Sequence, residues 1–198
     1  MTTNRNETVL ITGGSSGIGL ELAKCFAADG CRLVLVARNA PALEQVSSTL
    51  KDQFKVETIV LPADLSRGDA PKQIFDNLAN RGISVDVLIN NAGFGLHGDF
   101  VELPLQRQLE IIKVNVMALT ELTGLFLPEM VRKRSGGILN VGSVAGFVPG
   151  PNLAVYYATK AFVQSFSEAL AEELTGIGVS VTVLCPGPTE SNFGVVAR

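Results

Sequence analysis

The sequence predicts an α/β fold in which one doubly wound parallel sheet is covered by helices on both faces. Apolar, β-branched runs alternate with helical patterns along the whole chain, which is typical of this class. The composition is 46% hydrophobic and 18% charged, as expected when strands are buried on both faces. A chain of 198 residues suits one domain with a sizeable core, so we expect a single domain over residues 1–198.

Six short apolar runs are predicted as strands, because they are rich in β-branched residues. They cover residues 8–12, 32–36, 56–61, 85–90, 137–141 and 179–185. Stretches with helical periodicity cover residues 17–28, 41–54, 67–80, 104–134 and 156–174. Because alternating strands and helices form right-handed crossovers, we expect a parallel sheet with its ligand at the carboxyl ends of the strands.

A glycine-rich turn directly follows the first predicted strand and opens the first predicted helix. In that position a turn lets a pyrophosphate approach backbone N–H groups and the positive end of the helix dipole. The same glycines could serve an ordinary tight turn. The agreement of strand, turn and helix favours dinucleotide binding by Gly13, Ser15, Ser16, Gly17, Ile18 and Gly19, with the spacing G-x-x-x-G-x-G.

Tyr156 and Lys160 lie four residues apart in the last predicted helix, so they share a face. A tyrosine normally loses its proton near pH ~10. A unit charge roughly 5 Å away, at an effective dielectric of about 20, is worth on the order of 3 kcal/mol. We therefore expect Lys160 to lower the pKa of the Tyr156 phenol, which could then act as an acid or base at cellular pH. Tyr157 is a rival phenol on the same helix.

Several motifs in a fixed order resemble the short-chain dehydrogenase/reductase family over nearly the whole chain. They are the glycine turn, Asn90-Asn91-Ala92-Gly93, Asn115, Ser143, Tyr156 with Lys160, and Pro186-Gly187. The spacing of Ser143 and Tyr156 is similar to that of compact single-domain members, and Gly93-Phe94-Gly95 is similar to bacterial reductases of broad or unassigned substrate. The resemblance implies a Rossmann-like, three-layer αβα fold and hydride transfer between nicotinamide and a carbonyl or secondary alcohol.

The resemblance also implies roles for four residues. Tyr156, selected over Tyr157 by the family spacing, is the proton donor or acceptor, and Lys160 also bonds the nicotinamide ribose. Ser143 donates a hydrogen bond to the substrate oxygen, and Asn115 interrupts a helix and holds a water in the proton path. Taken singly, Ser143 could be a turn residue, Asn115 a helix-surface amide, and Tyr156 with Lys160 an exposed pair.

Arg38 predicts the form of the dinucleotide. An acidic residue would normally hold the ribose 2′-hydroxyl of NAD after the second strand, but this chain has Ala37-Arg38-Asn39 there. The planar guanidinium suits phosphate oxygens. We expect NADP(H), with NAD(H) less favoured, although Arg38 could also be a solvent-facing residue that ends a strand.

Three other segments match cofactor positions of the family. Asp64 and Leu65 correspond to residues that read the adenine edge, although Asp64 could simply start a turn. The segment Asn91, Ala92 and Gly93 supports the adenosine side. Thr189, after Pro186, Gly187 and Pro188, corresponds to a residue that bonds the nicotinamide carboxamide, and its alternative role is a helix cap.

Apolar loop residues favour a hydrophobic substrate. Phe94, Leu96, Phe147, Val148, Leu153 and Phe193 are expected around the nicotinamide end, although they could equally be loop core. His97 is the only histidine, and no acidic or metal-ligating partner is evident nearby. The three cysteines have no paired spacing, so no metal site is predicted.

The charge pattern excludes some partners. A net charge of −3, with no basic run longer than Arg132-Lys133-Arg134, gives no footprint for nucleic acid. The most apolar helical stretch, residues 117–127, is short and contains Glu121, so no membrane span is predicted. Because residues 1–7 are polar and lack an export signal, we expect a cytoplasmic protein.

Two further expectations come from the resemblance. Family members continue beyond the point where this chain stops, so the final edge strand and the substrate lid are expected to be absent. Their absence would weaken catalysis. The alternative function is therefore a non-catalytic NADP(H)-binding sensor. Relatives also pair through the helix that contains Asn115 and the helix that begins at Tyr156, so a homodimer or homotetramer is expected. The apolar residues available for pairing, which could instead face the sheet, are Ala118, Leu122, Phe126, Phe162, Phe166 and Leu170.

Overall fold

A computed structural model of the protein describes residues 7–189. Its six-stranded sheet is parallel throughout, in the order β3-β2-β1-β4-β5-β6. The strands are β1 (Thr8–Thr12), β2 (Arg32–Ala37), β3 (Thr58–Pro62), β4 (Val87–Asn90), β5 (Gly136–Val141) and β6 (Val179–Leu184). After β3 the chain returns to the other side of β1, where β4, β5 and β6 are added in turn, and this reversal of strand order confirms the predicted doubly wound sheet.

Six α-helices connect or follow these strands within the described part of the chain. They are α1 (Gly17–Ala28), α2 (Ala40–Phe54), α3 (Ala70–Asn80), α4 (Leu105–Ile112), α5 (Leu119–Lys133) and α6 (Ala154–Glu173). Helix α3 begins three residues later than predicted. The reason is a turn before it, in which the Ser66 N–H and hydroxyl both donate to Asp64 Oδ1.

The sheet divides the core into two layers because neighbouring side chains of a strand point to opposite faces. Val9 and Ile11 of β1 pack with one cluster that includes residues of α1 and α2. Leu10, between them, belongs to the other cluster, which includes residues of α3 and α5. All three side chains are completely buried. Burial of a side chain of this size stabilises the fold by about 2 kcal/mol.

Residues 104–134 were predicted as one helix, and α4 and α5 do run into each other. They are joined by a π-helical segment, Lys113–Ala118, which contains Asn115. The interruption of the helix at Asn115 is therefore confirmed. By length and composition, Leu105–Lys133 is the one helix among the described residues that could cross a membrane. This is weak evidence, because core helices meet the same criteria, and Leu122 and Phe126 pack in the core.

The residues proposed for pairing do not form one exposed face. Ala118, Leu122 and Phe126 are buried in the core, so the alternative that they face the sheet is correct for these three. On α6, the Phe162 and Phe166 rings stack with centroids 5.7 Å apart, and Phe162 is 37% exposed. The oligomeric state stays a prediction.

Candidate active site

A cavity of about 660 Å³ opens at the carboxyl ends of the central strands. It brings together residues from distant parts of the sequence. Those predicted as site residues that line it are Gly13, Ser15, Ser16, Gly17, Ile18, Arg38, Asp64, Leu65, Asn91, Ala92, Gly93, Ser143, Tyr156, Lys160, Pro186, Gly187 and Thr189. Gly19 and Asn115 are buried and do not line it. The size is in the range of small-molecule sites.

The glycine turn has the geometry of an anion site. Gly13 adopts φ +67° and donates its N–H to the Val36 carbonyl at 2.7 Å, which ties the turn to β2. Ser16 is the N-cap residue of α1, but its side chain makes no capping hydrogen bond. The first N–H groups of the helix can therefore donate to a bound anion. A Cβ at Gly19 would overlap the Gly13 carbonyl, so only glycine allows this close approach.

Side-chain hydrogen bonds connect the end of β1 to the end of β4. The Thr12 hydroxyl donates to the Ile89 carbonyl at 3.2 Å and accepts the N–H groups of Asn91 and Ala92, each at 3.0 Å. Asn91 Nδ2 donates to the Thr12 carbonyl at 2.8 Å. The Asn91 side chain therefore supports the glycine turn from behind.

Arg38 and Asp64 lie at the ends of β2 and β3. Burial opposes ionisation of Asp64, but hydrogen bonds from Ser66 and the charges of Arg38 and Arg67 outweigh it and lower the pKa of its carboxyl. Asp64 also holds the turn before α3. It is thus a turn residue that lines the cavity, and its predicted role in reading adenine stays a prediction. Arg38 is exposed within the rim of the cavity.

Tyr156 and Ser143 meet at the opposite end of the cavity. Ser143 lies two residues after β5 and caps a short 3₁₀ turn, Val144–Phe147, with its Oγ accepting the Ala145 N–H at 3.1 Å. Its hydroxyl is also hydrogen-bonded to the Tyr156 phenol. Burial raises the pKa of Tyr156; the bond to Ser143 opposes this shift, and Tyr157 adds to it.

Lys160 is 6% exposed and donates to the Val141 carbonyl at 2.7 Å. Its ammonium lies 5.8 Å from the centroid of the Tyr156 ring. Burial lowers the pKa of Lys160 to about 8, and the nearby Cys185 opposes the shift. The prediction that Lys160 lowers the pKa of Tyr156 is wrong for this structure, since burial dominates at the phenol and the ammonium is directed at a backbone carbonyl.

Asn115 is 2% exposed, so it is not a surface amide. Its Nδ2 donates to the Phe94 carbonyl and to Thr159 Oγ1, each at 3.0 Å, and its Oδ1 accepts the Phe94 N–H at 3.1 Å. Thr159 in turn donates to the Tyr156 carbonyl at 2.7 Å. Asn115 therefore links the segment after β4 to the helix that carries Tyr156. Its predicted water stays a prediction.

The predicted apolar pocket is only partly assembled. Phe94 and Leu153 line the cavity, whereas Leu96 lines a smaller neighbouring one. Phe147 and Val148 are 60% and 59% exposed and line neither cavity. Phe193 lies outside the described residues.

Sequence reasoning missed other cavity-lining residues, including Glu110 and Val114. Their spacing of four residues on one helix, directly before Asn115, was the available signal. His97 is exposed and lines neither cavity. Among residues 7–189 no cluster of His, Cys, Asp and Glu side chains is suited to a metal ion.

Comparison with known families identifies this arrangement. A family model described as short chain dehydrogenase matches residues 7–197. The chain belongs to this family. A very-long-chain 3-oxoacyl-CoA reductase from Bos taurus is 39% identical over 196 residues, which covers 97% of this chain and 62% of the relative. The chain thus spans about three fifths of the length of that curated relative.

Solved structures of short-chain dehydrogenases share the fold. One from Sphingobium yanoikuyae, in complex with NADPH, superposes with a TM-score of 0.89 at 38% identity, over 94% of this chain and 73% of that one. One from Burkholderia phymatum, in complex with NAD, gives a TM-score of 0.91 at 30% identity, over 99% and 70%. The predicted fold class and family resemblance are confirmed.

The residues present fit a nicotinamide dinucleotide. The start of α1 offers backbone N–H groups to a pyrophosphate. Arg38 at the rim offers a guanidinium to a further phosphate or to an adenine face. At the other end, the Lys160 ammonium and the Ser143 hydroxyl lie beside the Tyr156 phenol. One cavity thus holds a nucleotide end, built around the glycine turn, and a chemical end, built around Tyr156.

Proposed function

We propose that the protein is an NADP(H)-dependent oxidoreductase that transfers hydride between nicotinamide and a carbonyl or secondary alcohol of an apolar substrate. One observation carries the proposal: the Tyr156 phenol, hydrogen-bonded to Ser143 and near the Lys160 ammonium, lines the same cavity as the glycine turn. A dinucleotide extended along this cavity would reach from one end to the other. Named relatives that are reductases support the reaction class.

Tyr156 supplies the proton in this proposal. NADPH, when bound, supplies the hydride. Reduction of a carbonyl leaves negative charge on its oxygen, and Tyr156 neutralises that charge by giving up its phenolic proton. Because burial raises its pKa, the phenol is protonated at neutral pH and available as a donor. In the oxidative direction the phenolate takes the proton back from the alcohol.

Ser143 and Lys160 assist through hydrogen bonding and charge. The Ser143 hydroxyl already contacts the phenol, so it is placed to donate to a substrate oxygen at the same point. Lys160 with a pKa of about 8 is mostly protonated at neutral pH. Its charge favours the phenolate that remains after proton transfer. The lysine therefore acts on the developing charge and not on the resting phenol.

The preference for NADP(H) rests on Arg38. The strand β2 ends in Ala37 and is followed by Arg38 and Asn39, and Asn39 is engaged in capping α2 through the Ala42 N–H at 3.1 Å. A cation directly after β2, where no acidic residue stands, favours a 2′-phosphate. The neighbour from Sphingobium yanoikuyae was solved with NADPH, which supports the preference, whereas the one from Burkholderia phymatum was solved with NAD.

An apolar substrate is favoured by the surroundings of Tyr156. Phe94, Leu153 and Val144 line the cavity near this end, and the neighbouring 3₁₀ turn exposes Phe147. Burial of apolar substrate surface would contribute binding free energy here without a charged anchor. The bovine relative is named for a long-chain acyl substrate. We propose 3-oxoacyl thioesters and bulky ketones as the first substrates to examine.

The decisive experiment follows NADPH oxidation by the full-length protein against 3-oxoacyl thioesters, aryl ketones, aldehydes and sugars. The proposal predicts turnover with at least one apolar carbonyl compound. Tight binding of NADPH with no turnover across the panel would instead support the sensor. We also propose a homodimer or homotetramer in the cytoplasm; a purely monomeric sedimentation profile at micromolar concentration would contradict the assembly.

A further inference from the structure

Tyr157 is a second phenol at the site that the proton step does not use. It follows Tyr156 on α6, is partly buried and lines the cavity. The two rings meet edge to face, with centroids 6.1 Å apart and planes at 78°. This geometry is a favourable aromatic contact. Tyr157 thus occupies the space next to the proposed proton donor.

The ring of Tyr157 rests on the bare backbone of Gly150. A Cβ at position 150 would overlap three atoms of the ring. Gly150 is not in the left-handed backbone region, so the glycine is required here for space and not for its conformation. The contact joins the first turn of α6 to the loop of residues 147–153, which we call the substrate loop.

The substrate loop is anchored at its other points by backbone hydrogen bonds. The Gly98 N–H donates to the Asn152 carbonyl at 2.8 Å, and the Tyr157 N–H donates to the Leu153 carbonyl at 3.0 Å. Leu153 faces the cavity, whereas Phe147 at the start of the loop is 60% exposed. The Tyr157 ring supports the middle of the loop at Gly150, on the N-terminal side of these two anchors.

We propose that Tyr157 is a specificity-determining residue that acts through the substrate loop. Its ring, seated on Gly150, holds the loop at a set distance from Tyr156 and so limits the size of the substituent beside the reacting carbonyl. The inference rests on the proposed carbonyl reduction. It assigns the effect to the ring and not to the hydroxyl.

A kinetic test compares acetophenone with benzophenone, in which a phenyl group replaces the methyl group. In Tyr157→Ala, the ratio of kcat/KM for benzophenone to that for acetophenone rises about tenfold over the parent, mainly through KM, because the ring no longer holds the substrate loop close to Tyr156. Tyr157→Phe keeps the ring and restores the parental ratio. A ratio in Tyr157→Ala within twofold of the parent overturns the proposal, as does an equal change in Tyr157→Phe.

A second readout does not need turnover. Chymotrypsin cleavage after Phe147, identified by fragment mass, reports how firmly the substrate loop is held. We expect cleavage about tenfold faster in Tyr157→Ala and also in Gly150→Ala, in which the added methyl group displaces the loop from the ring. Tyr157→Phe is expected to match the parent. Phe75→Ala, which removes a partly buried ring on α3, controls for a general loss of stability.

The two readouts separate the inference from the proposed function. If the parent reduces no carbonyl compound, the proposed function fails and the cleavage rates still decide whether the Tyr157 ring holds the loop. Equal cleavage in Tyr157→Ala, Gly150→Ala and the parent overturns the inference even when the parent is an active reductase.

Discussion

At the nucleotide end of the cavity the ligand-facing groups are largely backbone, whereas at the chemical end they are side chains. The glycine turn is held by the Gly13 N–H on Val36 and by Asn91 on Thr12. The chemical end depends on where Ser143, Tyr156 and Lys160 project from β5 and α6. The nucleotide end therefore depends on the pairing of β1 with β2 and β4 and on the start of α1, whereas the chemical end depends on how α6 packs against β5.

The two ends also differ in charge. Burial shifts the pKa of Tyr156 up and the pKa of Lys160 down to about 8, so it disfavours the charged form of both groups. At the nucleotide end, Asp64 is shifted in the opposite direction, toward its charged form, by Ser66 and nearby arginines that outweigh its burial. Asp64 is thus shifted toward its charged form in the free protein, whereas Tyr156 and Lys160 are shifted toward their neutral forms.

The largest effect is expected for Tyr156→Phe, which changes only the chemical end. Loss of the phenolic proton is predicted to lower kcat by about 10³-fold, because general acid catalysis is typically of this size. The dissociation constant of NADPH, measured by fluorescence titration, is predicted to stay within about threefold, since the glycine turn is untouched. If Tyr156→Phe weakens NADPH binding by as large a factor as it lowers kcat, the distinction between the two ends is contradicted.

The next effect concerns the pH dependence of stability through Lys160. Its pKa falls from an ordinary 10.5 to about 8 on folding, so between these values the unfolded chain binds a proton that the folded chain does not. The free energy of unfolding therefore gains on the order of 3 kcal/mol from this group as the pH rises through that window. Below pH about 8 the lysine is protonated in both states and the gain is absent.

Urea unfolding of the cofactor-free parent and of Lys160→Met, from pH about 7 to 10, measures this gain. Because burial raises the pKa of Tyr156 above its ordinary value of about 10, its phenol stays protonated over this range in the folded state of both proteins, so their difference reports Lys160. The stability of Lys160→Met relative to the parent is expected to fall with rising pH. If the difference in free energy of unfolding between the two proteins does not change with pH, burial does not lower the pKa of Lys160 and this account is contradicted.

The smallest effect is expected for Arg38→Ala, which changes only the nucleotide end. Loss of a charge-assisted contact to a 2′-phosphate is predicted to raise the dissociation constant of NADPH about tenfold while that of NADH stays the same. The control is Arg67→Ala, because the Arg67 side chain is 70% exposed and also acts on Asp64. Equal weakening of NADPH and NADH in Arg38→Ala would contradict the assignment.

The nucleotide end was largely predictable because its signals are local in the sequence. The glycines follow β1 directly, and β1 and α1 have the predicted limits. Strands such as β1 are continuous runs of buried apolar residues, and such runs can be recognised as strands from the sequence alone. The helical interruption at Asn115 was predictable only through the family resemblance, since nothing in the periodicity of residues 104–134 marks a π-helical turn.

The residues of the chemical end could be predicted from the sequence, but the hydrogen bond and the pKa shifts of these residues could not. Spacing alone placed Lys160 beside Tyr156, but its hydrogen bond goes to the Val141 carbonyl, nineteen residues earlier in the chain. That choice depends on how α6 packs against β5. The contact of Tyr157 with Gly150 was unpredictable for the same reason, because it requires the fold of the intervening loop.

The titration of Tyr156 tests the central claim most directly, namely that this phenol is the proton donor and lies beside the nicotinamide end of a bound dinucleotide. The chain has two tyrosines and no tryptophan, so the near-ultraviolet phenolate absorbance of Tyr157→Phe reports Tyr156 alone. We predict a midpoint above the ordinary value of about 10 in the free protein. Saturating NADP⁺, which brings a positive nicotinamide ring, is predicted to lower that pKa, because a nearby positive charge favours the phenolate. A midpoint that NADP⁺ leaves unchanged would contradict the account.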